Sequence, residues 1–527
     1  MKISQRLCLA TLLITVWTNL TLADVRIPAI FGSHMVLQQG AKVPVWGTAD
    51  SGEKVTVRFG GQMVTTRAAA DGKWMAALTP MAASATARTL TVTGKNVLRF
   101  EDVLVGEVWV CSGQSNMVLQ PAWTENGAQE IKAANFPRIR MITVPAVTAQ
   151  TPQKNFDGKL TPEDYDGQWA ECSPDVMKNF SAVGYFFGRD LHQRLDTPIG
   201  LVGAYWSGTP AQAWTSQDVL GSDPQLKSYL SRWAEHTTNY PRLKAEYDVR
   251  AAAAKARRET LSVWLDPVPQ DPVISPSRPA NLFNGMIAPL IPFAIRGAIW
   301  YQGEGNAGNA EDAMLYHHLF SVMITDWRKR WGEGDFPFLF VQLCAINKRQ
   351  QEAVEMSSNW AILRESQLKT LALPNTAMAV IFDTDPTGYL HPTNKKPVGE
   401  RLALSALKVA YGKDVEESGP VFNAMEIQGD KILLRFKHVG GGLVSKSNNG
   451  LKSFAVAGKD RKFVWADAKI IGDTVVVSSP QVKAPMAARY AWANNSEASL
   501  FNKARLPASP FRTDAWELPT AKSIGGM

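Results

Sequence analysis

The stretch GEVWVCSGQSNM, Gly106 to Met117, decides how the chain folds. Its first part is a nearly uninterrupted apolar run, which is typical of a strand buried on both faces of a parallel sheet. Small polar residues then end the strand, and Ser115 stands just beyond a glycine. Such residues usually form only a turn, so the rest of the chain must decide whether Ser115 is a nucleophile.

The same pattern continues from Gly106 to about Gly412. Further strand-like runs, separated by segments of helical period, are RIRMITV, PIGLVGAYWS, IRGAIWYQG, FPFLFVQL and AMAVIFDTD. Apolar strands alternating with helices predict an α/β fold with a parallel sheet covered on both faces. We therefore predict an α/β domain at 105–415, with a helical insertion near 215–277.

On both sides of this domain, short apolar runs alternate with glycine, aspartate and proline turns. Examples are KVPVWGTA and EKVTVRF before it, and KILLRF and TVVVSS after it. Regularly spaced short strands are typical of an antiparallel β-sandwich. They predict an N-terminal β-sandwich module at 24–104 and a C-terminal β-rich module at 416–527.

The first 23 residues have the features of a secretory signal peptide. A basic start is followed by the apolar run LCLATLLITVW and by TLA, a small-residue cleavage site before Asp24. The run falls short of the roughly 20 residues that span a bilayer. We predict a secreted or periplasmic protein that does not contact a membrane after signal removal.

Charge and cysteine content exclude some classes of protein. The formal net charge of the 527 residues is +8, and loss of Lys2 and Arg6 with the signal peptide leaves +6. Without clustered Lys and Arg, this charge does not indicate a nucleic-acid partner. The remaining cysteines, Cys111, Cys172 and Cys344, are odd in number and widely spaced, which argues against a disulfide framework and a CxxC metal site. A single pair is compatible with an oxidising compartment.

Polar residues follow several predicted strands. Because ligands of open α/β sheets bind beyond the carboxyl ends of the strands, we expect these residues to lie close together. They are Ser115, Ser207-Gly208-Thr209, Gln302-Gly303-Glu304, Asp383, Asp385 and His391.

These residue types are the ones that acyl transfer requires. A serine hydroxyl needs a base such as histidine to take its proton, and a carboxylate or carbonyl must orient the imidazole. A glycine N–H and a glutamine amide are suitable donors to the oxyanion. His391 also precedes a predicted helix, which has Pro397 in its first turn and an apolar stripe beyond it. The set predicts an esterase.

Several motifs of the chain resemble those of a known family of esterases. Besides GEVWVCSGQSNM, they are WSGTPAQAW at 206–214, RPANLFNGMIAPL at 278–290, IWYQGEGNA at 299–307 and HPTNKKPVGERLAL at 391–404. In this order they resemble the sialate O-acetylesterase family of SGNH-type serine hydrolases. The resemblance also covers HMVLQQGAKVPVWGTA near the start and LPASPFRTD near the end.

The resemblance implies an SGNH-hydrolase-like parallel sheet sandwiched between helices and flanked by β-sandwich modules. It implies that Ser115 is the nucleophile and His391 the general base. Gly208 and Gln302, with the Ser115 N–H, would form the oxyanion hole. No metal and no organic cofactor is implied.

The chain departs from the family pattern at two places. Many relatives have Trp-Gly-Gly-Thr where this chain has a serine, Ser207, before Gly208. Many also have an aspartate two or three residues before the histidine, where this chain has Gly388 and Tyr389. Three candidates therefore remain for orienting His391: Asp385, which we favour as the nearer acid, Asp383, and a backbone carbonyl in a Ser–His dyad.

The expected substrate is an acetylated oligosaccharide or polysaccharide. The family name implies sialic acid esters, and relatives of this architecture also deacetylate plant polysaccharides such as xyloglucan or xylan. A neutral polysaccharide is favoured because no arginine pair stands beside the motifs to clamp a carboxylate. Arg278 and Arg364 are the two arginines to check for such a role once the chain is folded. The alternative function is a non-catalytic carbohydrate-binding protein that keeps the esterase fold.

Overall fold

The computed structural model describes residues 24–156, 167–261, 266–446 and 450–518. The predicted signal peptide, 1–23, lies outside the described residues. Within them the chain forms an α/β fold, with one large mixed sheet and several smaller sheets.

The N-terminal part consists of β-strands, most of which are short. β2 pairs with β5, while β4, β3, β6, β7 and β1 lie side by side in a second arrangement. The strands are β1 (Val36–Gln38), β2 (Val43–Thr48), β3 (Lys54–Phe59), β4 (Gln62–Arg67), β5 (Lys73–Leu78), β6 (Ser84–Thr93) and β7 (Val97–Gly113).

The strand β7 belongs to both the N-terminal part and the α/β part. Its first half pairs with β6, and its residues Glu107–Gly113 pair in parallel with a strand of the central sheet. The predicted boundary at 104/105 thus falls inside one continuous strand. The apolar pattern changes there from alternating to continuous because β7 passes from a half-exposed sheet into a fully buried one, where every residue from Val103 to Gly113 is buried.

The central sheet has the order β13-β12-β11-β7-β10-β8-β9. Strands β13 through β8 are parallel and β9 is antiparallel to β8. All six strand-like runs predicted for this region are strands of the sheet, which confirms the α/β prediction. The strands of the sheet after β7 are β8 (Phe136–Thr143), β9 (Ala170–Cys172), β10 (Ile199–Tyr205), β11 (Gly297–Tyr301), β12 (Phe338–Val341) and β13 (Thr376–Ala379). Of these, β9 corresponds to no predicted run.

Helices cover both faces of this sheet. On one face Trp109 of β7 packs edge-on against Phe187 of α4, with ring centres 5.1 Å apart, and α9 joins the same core. On the other face Val110 shares a core with Phe320 of α7 and with α8. The helices are α1 (Ser115–Val118), α2 (Gly127–Ala133), α3 (Pro174–Met177), α4 (Ala182–Leu195), α5 (Gln217–Ser222), α6 (Lys227–Ala256), α7 (Ala310–Trp331), α8 (Asn359–Thr370) and α9 (Lys396–Val409).

Two segments predicted to be helical contain helices. Helices α5 and α6 fall in the segment predicted as a helical insertion, and no described helix is both long and apolar enough to span a bilayer. Helix α9 follows His391 and has Pro397 in its first turn, where the missing N–H costs no hydrogen bond. Its predicted apolar stripe, including Leu402 and Ala406, is buried against the sheet.

The C-terminal part consists of antiparallel strands and packs on the α/β part. Two four-stranded sheets have the orders β14-β15-β20-β19 and β18-β17-β21-β23, and β16 pairs with β22. The buried Arg364 of α8 donates hydrogen bonds to the carbonyls of Ala493 and Asn494, which fixes this part to the α/β core. The strands are β14 (Val421–Gln428), β15 (Lys431–Lys437), β16 (Leu443–Ser445), β17 (Phe454–Ala457), β18 (Val464–Trp465), β19 (Asp467–Ile471), β20 (Thr474–Ser478), β21 (Ala487–Tyr490), β22 (Leu500–Asn502) and β23 (Phe511–Arg512).

The three cysteines of the described chain are free, buried thiols. Burial raises the pKa of Cys172 and of Cys344 to about 12. Because the thiolate is the reactive form, these side chains behave as apolar core residues.

Candidate active site

The candidate active site lies at the carboxyl ends of the parallel strands. Strand β7 ends at Gly113, which is flanked by Tyr205 of β10 and Tyr301 of β11. The Gly113 backbone has a φ of +136°, and a Cβ atom there would lie 2.2 Å from the carbonyl oxygen of Tyr301. Only glycine fits this position, and it lets the chain turn so that α1 begins at Ser115.

Ser115 and His391 form a hydrogen-bonded pair. The Nε2 atom of His391, in the loop between β13 and α9, lies 2.9 Å from the Oγ atom of Ser115. This distance is within reach of direct proton transfer. Ser115 is the first residue of α1, so its N–H has no acceptor within the helix and is available to an oxyanion. The structure thus brings together the two side chains that the sequence predicts as nucleophile and base.

The surroundings of His391 favour its neutral form. Partial burial lowers the pKa of the imidazole, and the nearby positive charge of Lys395 lowers it further. Both effects penalise the imidazolium, which is the charged form. His391 is therefore neutral at neutral pH, as a general base must be before it accepts a proton.

The two aspartates that follow β13 have other partners. Asp383 accepts two hydrogen bonds from Arg401 of α9, at 2.6 and 2.9 Å, in a nearly buried ion pair. Asp385 accepts hydrogen bonds from the N–H and the hydroxyl of Thr387, at 2.8 and 2.5 Å. Within the described residues, neither aspartate hydrogen-bonds to His391. The structure does not join Asp385, which the sequence favours for this role, to the imidazole.

The predicted oxyanion residues differ in how the structure presents them. Gly208 follows β10 in a tight turn with a φ of +72°, and the space where a Cβ atom would lie is open. The amide of Gln302 is buried, and its Nε2 atom donates to the carbonyl of Thr209 at 3.2 Å and to Asn306 Oδ1 at 2.9 Å. Both of its hydrogens are therefore used. The predicted role of Gln302 as a free donor is not realised in this geometry, because its side chain instead supports the turn that carries Gly208.

Sequence reasoning did not single out Asn116 and Lys395. The Nδ2 atom of Asn116 donates to the carbonyl of Leu390 at 2.9 Å, and its Oδ1 atom accepts from Lys395 Nζ at 2.5 Å. Both residues are at most 1% exposed. Asn116 stands inside the recognised motif, but a lysine at the start of a helix normally faces water, so nothing in the sequence marks Lys395 as buried.

Two strongly exposed aromatic side chains lie in the histidine loop and in a segment that is hydrogen-bonded to it. Tyr389, two residues before His391, is 71% exposed, and Trp123 is 70% exposed. The loop of Trp123 is tied to the histidine loop by a hydrogen bond from the N–H of Glu125 to the carbonyl of Thr393, at 3.0 Å. Most other tryptophans of the described chain are buried or half-buried.

Clusters of potential metal ligands lie elsewhere in the chain. Among the described residues, the two such groups are His34 with Asp102 and Glu171, and His438 with two glutamates. Neither includes Ser115 or His391, and in the first group Arg140 already pairs with the Asp102 carboxylate at 2.5 Å.

Comparison with known proteins identifies relatives over nearly the whole length of the chain. The family model described as carbohydrate esterase, sialic acid-specific acetylesterase, matches residues 278–408. The sialate O-acetylesterase of Rattus norvegicus is 30% identical over 533 residues, which cover 92% of this chain and 94% of the rat protein. The sialate O-acetylesterase of Homo sapiens is 29% identical, with 92% of each chain covered. A carbohydrate acetylesterase from Xanthomonas citri, known from its crystal structure, superimposes with a TM-score of 0.78 at 35% identity, covering 94% of this chain and 100% of that one.

These similarities define the class of the protein, which is a carboxylic-ester hydrolase of the carbohydrate esterase type. They confirm the enzyme interpretation over the non-catalytic alternative. Within that class the chain belongs to the sialate O-acetylesterase family, because the similarity extends over nearly the whole length of the chain and of its relatives.

Proposed function

We propose that this chain releases acetate from O-acetylated glycans by acyl transfer through Ser115 and His391. The observation that carries the proposal is the 2.9 Å contact between Ser115 Oγ and His391 Nε2 at the carboxyl ends of the sheet. An SGNH-type hydrolase, to which the sequence motifs point, would use the same two side chains.

The proposed reaction has two steps. In the first, His391 Nε2 takes the proton of Ser115 as Oγ bonds to the acetyl carbon, and the proton passes to the sugar oxygen as the ester bond breaks. In the second, His391 takes a proton from water, the water oxygen bonds to the acetyl carbon, and Ser115 Oγ leaves with the proton. In both steps the N–H groups of Ser115 and Gly208 stabilise the oxyanion.

We further propose that the pair works as a dyad, with backbone contacts that hold His391 in place. Asp383 accepts hydrogen bonds from Arg401, and Asp385 accepts them from Thr387. The loop of His391 is instead held on both sides: the carbonyl of Leu390 accepts from Asn116, and the carbonyl of Thr393 accepts from Glu125. These bonds limit the movement of the imidazole without a carboxylate.

The substrate is proposed to be a neutral polysaccharide such as acetylated xyloglucan or xylan, with sialate esters as the second candidate. Tyr389 offers an exposed ring in the histidine loop, and Trp123 offers one in a segment that is hydrogen-bonded to this loop. Aromatic rings suit the apolar faces of sugars. Arg364, one of two arginines considered for a carboxylate, is 1% exposed and donates only to backbone carbonyls such as that of Leu343. It is not available to clamp a sialate carboxylate.

We also propose that the protein acts outside the cytoplasm, either secreted or in the periplasm. The support is the signal-peptide pattern of residues 1–23. Expression with the native leader, followed by N-terminal sequencing, should give a mature chain that starts at Asp24. A chain that retains residue 1 in the cytoplasmic fraction would contradict this.

The experiment for the reaction compares acetate release by the wild type, Ser115→Ala and His391→Ala. The substrates are O-acetylated sialic acid, acetylated xyloglucan, acetylated xylan and 4-nitrophenyl acetate. Loss of the serine or the histidine should reduce kcat by about 10³-fold or more on every substrate. A matched control is Ser231→Ala on the exposed surface of α6, which should leave kcat unchanged. Preference for the sialate ester would overturn the substrate proposal, and an active Ser115→Ala enzyme would overturn the mechanism.

A further inference from the structure

A buried polar cluster adjoins the Ser115–His391 pair but takes no part in the proposed bond changes. It consists of Lys395, Asn116 and Glu304, which come from the start of α9, from α1 and from the segment after β11. Lys395 and Asn116 are almost completely buried, and the Oε2 atom of Glu304 is buried without a hydrogen-bond partner among the described residues. Polar groups in such a place need a specific explanation.

The side-chain amide of Asn116 is the centre of this cluster. Its Oδ1 atom accepts from Lys395 Nζ at 2.5 Å, and its Nδ2 atom donates to Glu304 Oε1 at 2.5 Å. The second hydrogen of Nδ2 goes to the carbonyl of Leu390 at 2.9 Å. Asn116 follows the nucleophile in the chain and Leu390 precedes His391. One amide therefore links the backbone of the serine helix to the backbone of the histidine loop.

Burial disfavours the charged forms of the two ionisable side chains that contact this amide. Burial lowers the pKa of Lys395 to about 8, while Glu304, Asp385 and Cys344 act in the opposite direction. Burial likewise raises the pKa of Glu304. The ammonium also lies 5.0 Å from the ring centre of Tyr301. Buried ionic groups often add no more stability than apolar side chains of similar volume, so stability alone does not explain them.

We propose that Lys395 and Glu304 are positioning residues that hold the Asn116 amide from its two ends. Held in this way, Asn116 fixes the histidine loop against α1 and keeps His391 Nε2 within hydrogen-bond distance of Ser115 Oγ. The inference rests on the proposed function, in which these two side chains react. Loss of either positioning residue allows the amide to rotate and the reacting atoms to separate.

The first experiment measures kcat and KM of Lys395→Met with 4-nitrophenyl acetate. A misplacement of about 1 Å costs about 10²-fold in rate, so kcat should fall by about that factor while KM stays within about twofold. The control is Lys396→Met at the next position, whose half-exposed side chain lies 3.8 Å from Glu130; it should keep wild-type kinetics.

A conservative substitution then separates positioning from general damage to the core. Glu304→Gln keeps an oxygen that accepts from Asn116 Nδ2, so its kcat should stay within about tenfold of wild type, whereas Glu304→Leu should lose about 10²-fold. Unfolding midpoints show which variants are folded. If Glu304→Leu does not fold, Glu304→Gln still tests the proposal, because a loss of about 10²-fold there contradicts it.

A double-mutant cycle tests whether Lys395 acts through Asn116. If it does, Lys395→Met should add less than about threefold to the loss already caused by Asn116→Ala. Losses that multiply, or a change in KM alone, would overturn the proposal. An active Ser115→Ala enzyme would instead show that the reacting pair was misassigned, so the two failures are distinguishable.

Discussion

The two aspartates after β13 give the sharpest contrast between a triad and a dyad. Asp385→Asn removes the charge but keeps an oxygen for both bonds from Thr387. Because no bond to His391 is lost, kcat should stay within about threefold of wild type, against a loss of about 10⁴-fold for a true triad carboxylate. Initial rates with 4-nitrophenyl acetate, at a pH where His391 is neutral, measure this directly.

Asp383→Asn serves as the matched comparison and should affect stability instead. The side chains of Asp383 and Arg401 are only 7% and 12% exposed. Breaking a buried ion pair costs about 3–5 kcal/mol, and we expect about 3 kcal/mol because the Asn oxygen still accepts one hydrogen bond. Chemical denaturation gives this value, and kcat per folded enzyme should not change. A fall of kcat by about 10³-fold or more in either variant, without a change in stability, would refute the dyad.

Three further outcomes are expected. When kcat/KM is measured against pH, the midpoint of its fall on the acid side should lie below about pH 6.5. Burial and Lys395 lower the pKa of His391, and only the neutral imidazole acts as base. A midpoint above about pH 7 would contradict this. Gly113→Ala should lower the free energy of unfolding by about 2 kcal/mol or more, since its Cβ would lie 2.2 Å from the Tyr301 carbonyl oxygen. An unchanged free energy of unfolding in chemical denaturation would rule this out. Gln302→Ala should lower the free energy of unfolding by about 1–3 kcal/mol, because it leaves the buried partners of the amide unpaired, and it should lower kcat by less than tenfold. A fall of kcat by about 10²-fold with an unchanged free energy of unfolding would show that the Gln302 amide is an oxyanion donor.

The fold was largely predictable because its signal is local. An apolar run such as that of β7 without alternation is required wherever a strand is covered on both faces, and every such run is a strand of the central sheet. The helix after His391 was predictable for the same reason, since its proline and apolar stripe are properties of one segment. The boundary between the N-terminal module and the α/β domain, at 104/105, was harder to predict. One strand, β7, belongs to both parts, and no turn separates them.

The site was predictable only in part, because hydrogen bonds depend on contacts between distant segments. Ser115 and His391 are separated by 276 positions. Their residue types and their places after strands made them candidates, and the family resemblance implied that they act as a pair. The partners of Asp385 and Gln302 were not predictable. A carboxylate near a histidine and an amide near a glycine suit catalysis. In the structure, however, the Asp385 carboxylate accepts from Thr387, and the Gln302 amide donates to the Thr209 carbonyl. The buried Lys395 has no sequence signal at all.

The central claim is that Ser115 is the nucleophile, and covalent labelling tests it most directly. The folded enzyme is treated with a fluorophosphonate and the modified peptide is located by mass spectrometry. We predict a single adduct on Ser115, absent from Ser115→Ala and formed much more slowly in His391→Ala. An adduct on another residue that abolishes activity while Ser115 stays unmodified would contradict the claim.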